Sequence, residues 1–221
     1  MHTIISTTAD GSPTLYVPEL NEHYHSLHGA MQESDFVFIN NALGRITGRY
    51  IKVFEVGFGT GLNALLCCLE SENKKKEILY HSAEKFPVEK NILDELGNFY
   101  NTNAHMWELY KRITGCEWEN DVDITDFFTL RKINTDIASY YTSEIYDAIF
   151  YDAFSPRAQP EMWTVDIFCK IAGMMKPGAV LSTYSAKGQV KRNMISAGLR
   201  ANCVAGPPGK REMIVAVKPV N

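Results

Sequence analysis

Glu55, Glu84 and Asp152 are the acids best placed to do chemistry, since each closes a run of β-forming residues and is followed within three positions by glycine, proline or an aromatic ring. Glu55 stands two residues before Gly57, and Gly57, Gly59 and Gly61 form a G-x-G-x-G loop that passes into a helix-forming run. Such glycines let the backbone turn tightly and let a ligand lie against main-chain N–H groups at a helix N-terminus. Glu84 follows Gly61 by 23 residues, a spacing at which an acid can accept both hydroxyls of a ribose. Asp136 follows a further strand and suits either an adenine exocyclic amine or the cap of the helix it precedes. Asp152 ends the run Tyr146-Asp147-Ala148-Ile149-Phe150-Tyr151. Buried beside a reacting amine, it would orient that amine and accept its proton. In the loop that follows, Phe154 and Trp163 can wall a site for a flat base, whereas Met162 reads as core packing.

The glycine loop differs from a dinucleotide loop, because Leu62 fills the sixth position where G-x-G-x-x-G wants a small residue. An acid beside the loop would also repel a pyrophosphate, yet it can pair with an ammonium group. Glu55, pointing at the ligand from the end of a buried strand, therefore favours S-adenosylmethionine, whose methionine end carries such a group. A merely structural tight turn is the competing reading.

These acids need a frame to hold them. Strands read at 51–56, 77–84, 146–151, 178–184 and 211–217, and helices at 61–72, 87–98, 160–175 and 187–197. Pro87 suits a first helical turn, and Pro177-Gly178 marks the stop of one helix and the start of the next strand. Alternating segments at 116–124 and 127–134 read as a hairpin whose second strand joins the sheet. The order implies an α/β fold with a doubly wound, mostly parallel sheet and ligands outside the carboxyl ends of its strands. The stretch from Gly198 to Val217 reads as two strands around a tight loop, giving an antiparallel last strand. Residues 1–50 lack clean periodicity and form an extension packed on a domain spanning 51–221.

A chain of 221 residues with 45% hydrophobic content is long enough for one sizeable core. No apolar run approaches the ~20 residues that cross a bilayer, and no basic-then-apolar leader opens the chain. Cys67, Cys68, Cys116, Cys169 and Cys203 contain no C-x-x-C and read as reduced thiols in a cytoplasmic protein. His23, His25 and His28 lack a carboxylate at matching spacing, so they read as packing or surface residues and no metal is expected. Residues 1–150 carry 12 Lys/Arg against 22 Asp/Glu, while residues 151–221 carry 10 against 4. That asymmetry fits a polyanionic partner for the C-terminal third and fits solvated surface helices equally well.

Several motifs then occur in one order: Phe54-Glu55-Val56-Gly57-Phe58-Gly59-Thr60-Gly61-Leu62-Asn63, Glu84-Lys85-Phe86-Pro87, Asp152-Ala153-Phe154-Ser155-Pro156 with Pro160-Glu161-Met162-Trp163-Thr164, Thr183-Tyr184-Ser185-Ala186, Val190-Lys191-Arg192 and Gly209-Lys210-Arg211-Glu212-Met213. Together, and with the stretch over 33–39, they resemble the methyltransferase domain of the MnmC family, which acts in tRNA 5-methylaminomethyl-2-thiouridine biosynthesis. The resemblance implies a class I methyltransferase fold and methyl transfer from S-adenosylmethionine to the aminomethyl nitrogen of 5-aminomethyl(-2-thio)uridine at the tRNA wobble position. It assigns Glu55, Gly57, Phe58, Gly59, Gly61, Asn63, Glu84, Lys85 and Asp136 to the cofactor, and Asp152 to catalysis. Val56 stands where the family often has Leu, and Gln159 where Asn is common. The flavin-dependent oxidase half of the fused relatives does not follow, so a stand-alone methyltransferase is expected, with a separate upstream enzyme or oxidase supplying the aminomethyl group.

Lys187, Lys191, Arg192, Lys210 and Arg211 are then expected to form a basic rim that holds anticodon stem-loop phosphates while the wobble base turns into the pocket. Two rivals share the fold. An aminopropyltransferase of the spermidine-synthase type also uses an acid at the fourth strand, but the basic C-terminal third does not suit a polyamine. A non-catalytic RNA-binding module is at odds with the intact loop and Asp152.

Overall fold

The computed structural model describes residues 2–220. It opens with a small antiparallel sheet of β1 (Ile4–Thr7), β2 (Pro13–Val17) and β3 (Glu22–His23). A short helix α1 (Ala30–Ser34) runs into a π-helical turn, Asp35–Asn40. The start of α1 carries no side-chain cap of its own and borrows one from far away. Ser12 Oγ accepts the Ala30 N–H at 3.1 Å and Asp10 Oδ2 accepts the Gln32 N–H at 3.2 Å. Burial works against the Asp10 charge, but donors from Ser12, Thr8 and Gln32 prevail and hold its carboxyl down at about 2.

The main domain alternates strands and helices. In order they are β4 (Tyr50–Val56), α2 (Leu62–Lys74), β5 (Glu77–Glu84), α3 (Lys90–Gly97), α4 (Ala104–Gly115), β6 (Val122–Thr125), β7 (Phe128–Asn134), β8 (Tyr146–Tyr151), α5 (Val165–Gly173), β9 (Met175–Thr183), α6 (Gly188–Ser196), β10 (Arg200–Ala205) and β11 (Glu212–Val217). The eight strands lie in the order β10-β11-β9-β8-β4-β5-β7-β6. From β7 to β9 all neighbours are parallel, while β11 runs antiparallel to both β9 and β10. The doubly wound sheet and its antiparallel last strand are as expected.

The central strands are hydrophobic almost throughout because helices cover both faces. Side chains alternate, so Val53, Ala148 and Phe150 pack in the cluster with α2 and α4, and Phe54, Ile149 and Tyr151 in the one with α5 and α6. Sheet order reverses between β4 and β8. That is where an open α/β sheet leaves a crevice at its carboxyl ends.

Four readings of local structure need correction, the first being that Pro87 precedes α3, which begins at Lys90, rather than standing in its first turn. Residues 104–115 form α4, which was not anticipated; Asn103 caps it, accepting N–H groups from His105 and Met106 at 3.1 Å each. The expected helix over 160–175 is two elements, a 3-10 turn Pro160–Trp163 and α5, because Thr164 adopts an extended conformation and caps the second. Pro177 and Gly178 lie inside β9 rather than before it. They occupy an irregularity where pairing jumps from Tyr146–Met175 to Ala148–Val180, and the Gly178 N–H is satisfied by the Lys218 carbonyl at 2.8 Å.

Candidate active site

A cleft of about 490 Å³ opens at the carboxyl ends of β4, β5 and β8. Its floor begins with the glycine loop. Gly57 has φ 94°, and a Cβ built there would lie 2.7 Å from the Asp152 carbonyl oxygen. The Asp152 N–H in turn bonds to the Val56 carbonyl at 3.0 Å. Glycine at 57 is thus what allows the ends of β4 and β8 to close on one another, bringing Asp152 to the loop. Gly61, at φ 80°, caps α2 and faces the Phe58 ring rather than the cleft.

Beneath the floor runs a line of hydrogen bonds. The Asn63 side-chain amide donates to Asp152 Oδ2 at 2.7 Å and to Glu55 Oε1 at 2.9 Å, and the Ser82 hydroxyl donates to Glu55 Oε2 at 2.6 Å. Glu55 is 0% exposed and does not line the cleft, which corrects the expected direct contact with a ligand. Strand alternation puts it on the α2 face with Val53, where Asn63 covers it. Asn63 and Asp152 line the cleft instead. Burial, opposed by the donors from Ser82 and Asn63, pushes the Glu55 carboxyl up to about 8. For Asp152, burial pushes the carboxyl up to about 7; Asn63 and Lys210 oppose the rise and Glu33 adds to it.

A second wall is formed by the ends of β5 and β7. Glu84 lines the cleft and accepts N–H groups from Gly59 at 3.1 Å and Phe86 at 2.8 Å. Asp136 lines it too, while accepting the Ala138 N–H at 2.9 Å and pairing with Lys85 at 2.8 Å. Both readings of Asp136, turn cap and cleft acid, are therefore compatible with its position. Its carboxyl lies below the ordinary carboxylate range, through Lys85 first and the Ala138 N–H next.

The loop after β8 departs from expectation at two residues. Trp163 is 3% exposed and does not line the cleft; it packs against Tyr151 and Phe168, and its indole N–H bonds to the Phe154 carbonyl at 2.9 Å. Met162, read as core, is a lining residue along with Phe154. The difference lies in the 3-10 turn, which buries Trp163 in the α5 cluster and leaves its neighbour at the mouth.

The roof was largely missed. Residues 22–28 with Glu33, Ser34 and Phe38 close the cleft from the N-terminal side. Tyr24 packs edge-on against Phe154, with centroids 5.0 Å apart, and stands over Gly59. Glu22 accepts the Ser155 hydroxyl at 2.6 Å and lies 3.6 Å from Arg157. Glu33 pairs with Lys210, whose ammonium also lies 4.5 Å from the centre of the Tyr184 ring. Hence Lys210 faces into the cleft instead of standing on an outer rim. Lys187, Arg192 and Arg211 are exposed and do not line it. Lys187 caps α6, three residues beyond the lining Tyr184, and Arg211 directly follows Lys210.

A family described as S-adenosyl-L-methionine-dependent methyltransferase matches residues 101–219. The chain belongs to this family. Among solved structures, this methyltransferase is similar over 100% of its length to MNMC2 from Aquifex aeolicus, covering 73% of that chain with 26% identity and a TM-score of 0.76. It is 29% identical over 219 residues to the tRNA 5-methylaminomethyl-2-thiouridine biosynthesis bifunctional protein MnmC of Nitrosospira multiformis, covering 90% of this chain and 34% of that one. It thus spans about a third of the length of that curated relative. Spermidine synthase from Thermotoga maritima, at 12% identity and a TM-score of 0.55, covers 99% of this chain and 74% of that one; it shares the fold alone. The aminopropyltransferase alternative is accordingly not favoured.

The residues of the cleft fit the cofactor of the family. Its volume lies within the range of small-molecule sites. Once its two N–H bonds go to the carboxylates, Asn63 Oδ1 is buried without a hydrogen-bond partner, an acceptor a ligand N–H would satisfy. Glu84 provides the hydroxyl-accepting acid, and Ile137 and Phe86 provide apolar wall beside Asp136. No described helix is long and apolar enough to cross a membrane.

Proposed function

We propose that this methyltransferase places a methyl group on the exocyclic nitrogen of a 5-aminomethyluridine, with or without 2-thiolation, at the wobble position of tRNA. The named relatives supply the pathway. The observation that carries the reading is Asp152: a cleft-facing carboxylate at the end of β8, held by Asn63 and poised near neutrality by burial.

When bound, S-adenosylmethionine supplies an electrophilic methyl on a sulfonium. The work left to the chain is on the other partner. An alkyl amine is mostly protonated near neutral pH and cannot attack until it loses a proton. Asp152, with a carboxyl near 7, takes that proton from the ammonium and orients the freed amine. Asn63 keeps the Asp152 carboxylate turned toward the cleft, and Glu55, protonated near neutrality, fixes Asn63 without adding a second negative charge. Glu84, Lys85 and Asp136 would hold the nucleoside end of the cofactor, with Gly57, Phe58 and Gly59 lining the same cleft. Phe154 and Tyr24 exclude water around the flat base. Most of the acceleration comes from holding amine and methyl in a near-attack geometry.

Lys187, Arg192 and Arg211 grip phosphates of the anticodon stem-loop, with Lys191 on the same helix. An upstream enzyme that makes the aminomethyl group is part of this reading. The test is mass spectrometry of nucleosides after incubating tRNA bearing aminomethyluridine with S-adenosylmethionine. Gain of one methyl on that nucleoside supports the proposal; no gain, with methylation elsewhere on the tRNA, would overturn it.

A further inference from the structure

We propose that the Glu33 carboxylate and the face of the Tyr184 ring form the subsite that receives the substrate's protonated amine, and that Lys210 occupies it as an internal substitute until the substrate displaces it. The inference rests on the aminomethyl reading above and names two residues as determinants of specificity.

The site is built for an ammonium because it holds one. Lys210 Nζ pairs with Glu33 Oε1 and lies 4.5 Å from the centre of the Tyr184 ring. A carboxylate on one side and an aromatic face on the other is a favourable cage for a cation. Both walls are fixed from outside. Glu33 Oε2 accepts the Ser26 N–H at 3.0 Å, and the Tyr184 hydroxyl donates to the Ala153 carbonyl at 2.8 Å. The second bond ties the ring to the residue next to Asp152. The cage therefore adjoins the proton acceptor, as a subsite that hands over an amine must.

The other cleft acids are committed elsewhere or, like Glu161, exposed to solvent. Glu22 holds Ser155 and Arg157, Glu84 holds two backbone N–H groups, and Asp152 is bound by Asn63. The Asp136–Lys85 pair is exchangeable in the same sense, but it stands at the Glu84 end of the cleft. Glu33, with a side chain 12% exposed, is the cleft acid near Asp152 whose partner is a lysine ammonium.

Exchange of one ammonium for another conserves charge. While the substrate binds, Glu33 therefore keeps a cationic partner and avoids the cost of an unpaired, largely desolvated anion. Lys210 has a flexible four-carbon stem and an exposed neighbour, Arg211, so once released it can join the phosphate-facing cations. The substrate amine then moves from Glu33 to Asp152, where it gives up its proton.

The test compares two anticodon stem-loop hairpins, one with 5-aminomethyluridine and one with uridine at the wobble position. Binding is measured with S-adenosylhomocysteine present. Wild type should favour the aminomethyl hairpin by about tenfold, the order expected of one charge-assisted contact. Glu33→Gln keeps an oxygen for the Ser26 N–H and should bring the preference to within about twofold, leaving the uridine hairpin's affinity unchanged. Lys210→Met removes the internal competitor, so the aminomethyl hairpin should bind at least as tightly as to wild type. An intact preference in Glu33→Gln, or equal weakening of both hairpins by Lys210→Met, would overturn the subsite. If Glu33→Gln also weakens S-adenosylhomocysteine binding, the Lys210→Met pair decides alone. Methyl transfer to the aminomethyl hairpin is scored separately: its absence counts against the reaction, whereas transfer with no preference in wild type counts against the subsite.

Discussion

The floor and the roof of the cleft are held by opposite kinds of interaction. The floor is the ends of parallel strands, with one buried and one cleft-facing carboxyl group whose hydrogen bonds come from the neutral donors Ser82 and Asn63. The roof, residues 22–38, is fastened across the cleft by a carboxylate–ammonium pair, a hydroxyl–carboxylate bond and an edge-on aromatic contact. Burial raises the proton affinity of the floor acids against these donors, and the donors fix their geometry, which suits proton transfer. The ion pair and the hydroxyl bond leave the roof exchangeable, since another cation or water can take the place of either partner. In the proposed reaction, chemistry is assigned to the rigid side and selection to the exchangeable one.

The sharpest way to break this division is Asp152→Asn. It should leave the fold intact and slow methyl transfer by about 10²–10⁴-fold, the usual range for general acid–base groups. In wild type, single-turnover rates should rise as the pH passes through about 7, where Asp152 loses its proton. A flat profile, or full activity in the variant, would reduce Asp152 to a structural acid.

Glu55 tests the floor through stability. Both floor carboxyls hold protons more tightly when folded than when unfolded, with values near 8 and 7. As pH rises from about 4 to 8, the unfolded chain releases protons that the folded chain retains, so stability falls across that window. Melting temperature should therefore decline from pH 5 to pH 8.5, and Glu55→Gln should flatten much of the decline. A melting temperature that rises over this range in wild type would contradict the floor's electrostatics.

On the exchangeable side the effects are smaller. Reversing charge at Lys187 and Arg211 together should lower the salt dependence of tRNA binding by roughly one to two units of slope, with cofactor affinity unchanged. An unchanged slope would move the polyanion surface elsewhere. Glu22→Gln loosens one fastening of the roof and should cost about 0–1 kcal/mol by chemical denaturation, as partly exposed charge pairs do. A loss of several kcal/mol would make the roof as rigid as the floor.

Legibility in the sequence follows the same division. β5 and β8 have the bounds read from their hydrophobic runs, and Asp152 and Glu84 line the cleft as expected, because a strand end is a local property. Helix α4 also left a local trace: Asn103 precedes Met106, Leu109, Tyr110 and Ile113 at helical spacing, but polar residues between them blur the pattern. Glu33 and Tyr184 left none. Each falls inside a stretch singled out by family resemblance, yet nothing in their neighbours says that residues so distant in sequence share one ammonium.

Sequence alone determined the alternation of strands and helices, the glycine loop and the acids that close the strands. Backbone geometry and burial periodicity act over a few residues, and those are written in the chain. Only the tertiary structure decided which way those acids face and who answers them. Glu55 and Asp152 look alike as strand-end carboxylates, yet one is sealed behind Asn63 and the other opens on the cleft. Lys210 and Arg211 look alike as loop cations, yet one turns inward to Glu33 and the other outward to solvent. The physical reason is that desolvation and ion pairing depend on atoms brought together from remote parts of the chain, and no local pattern records them.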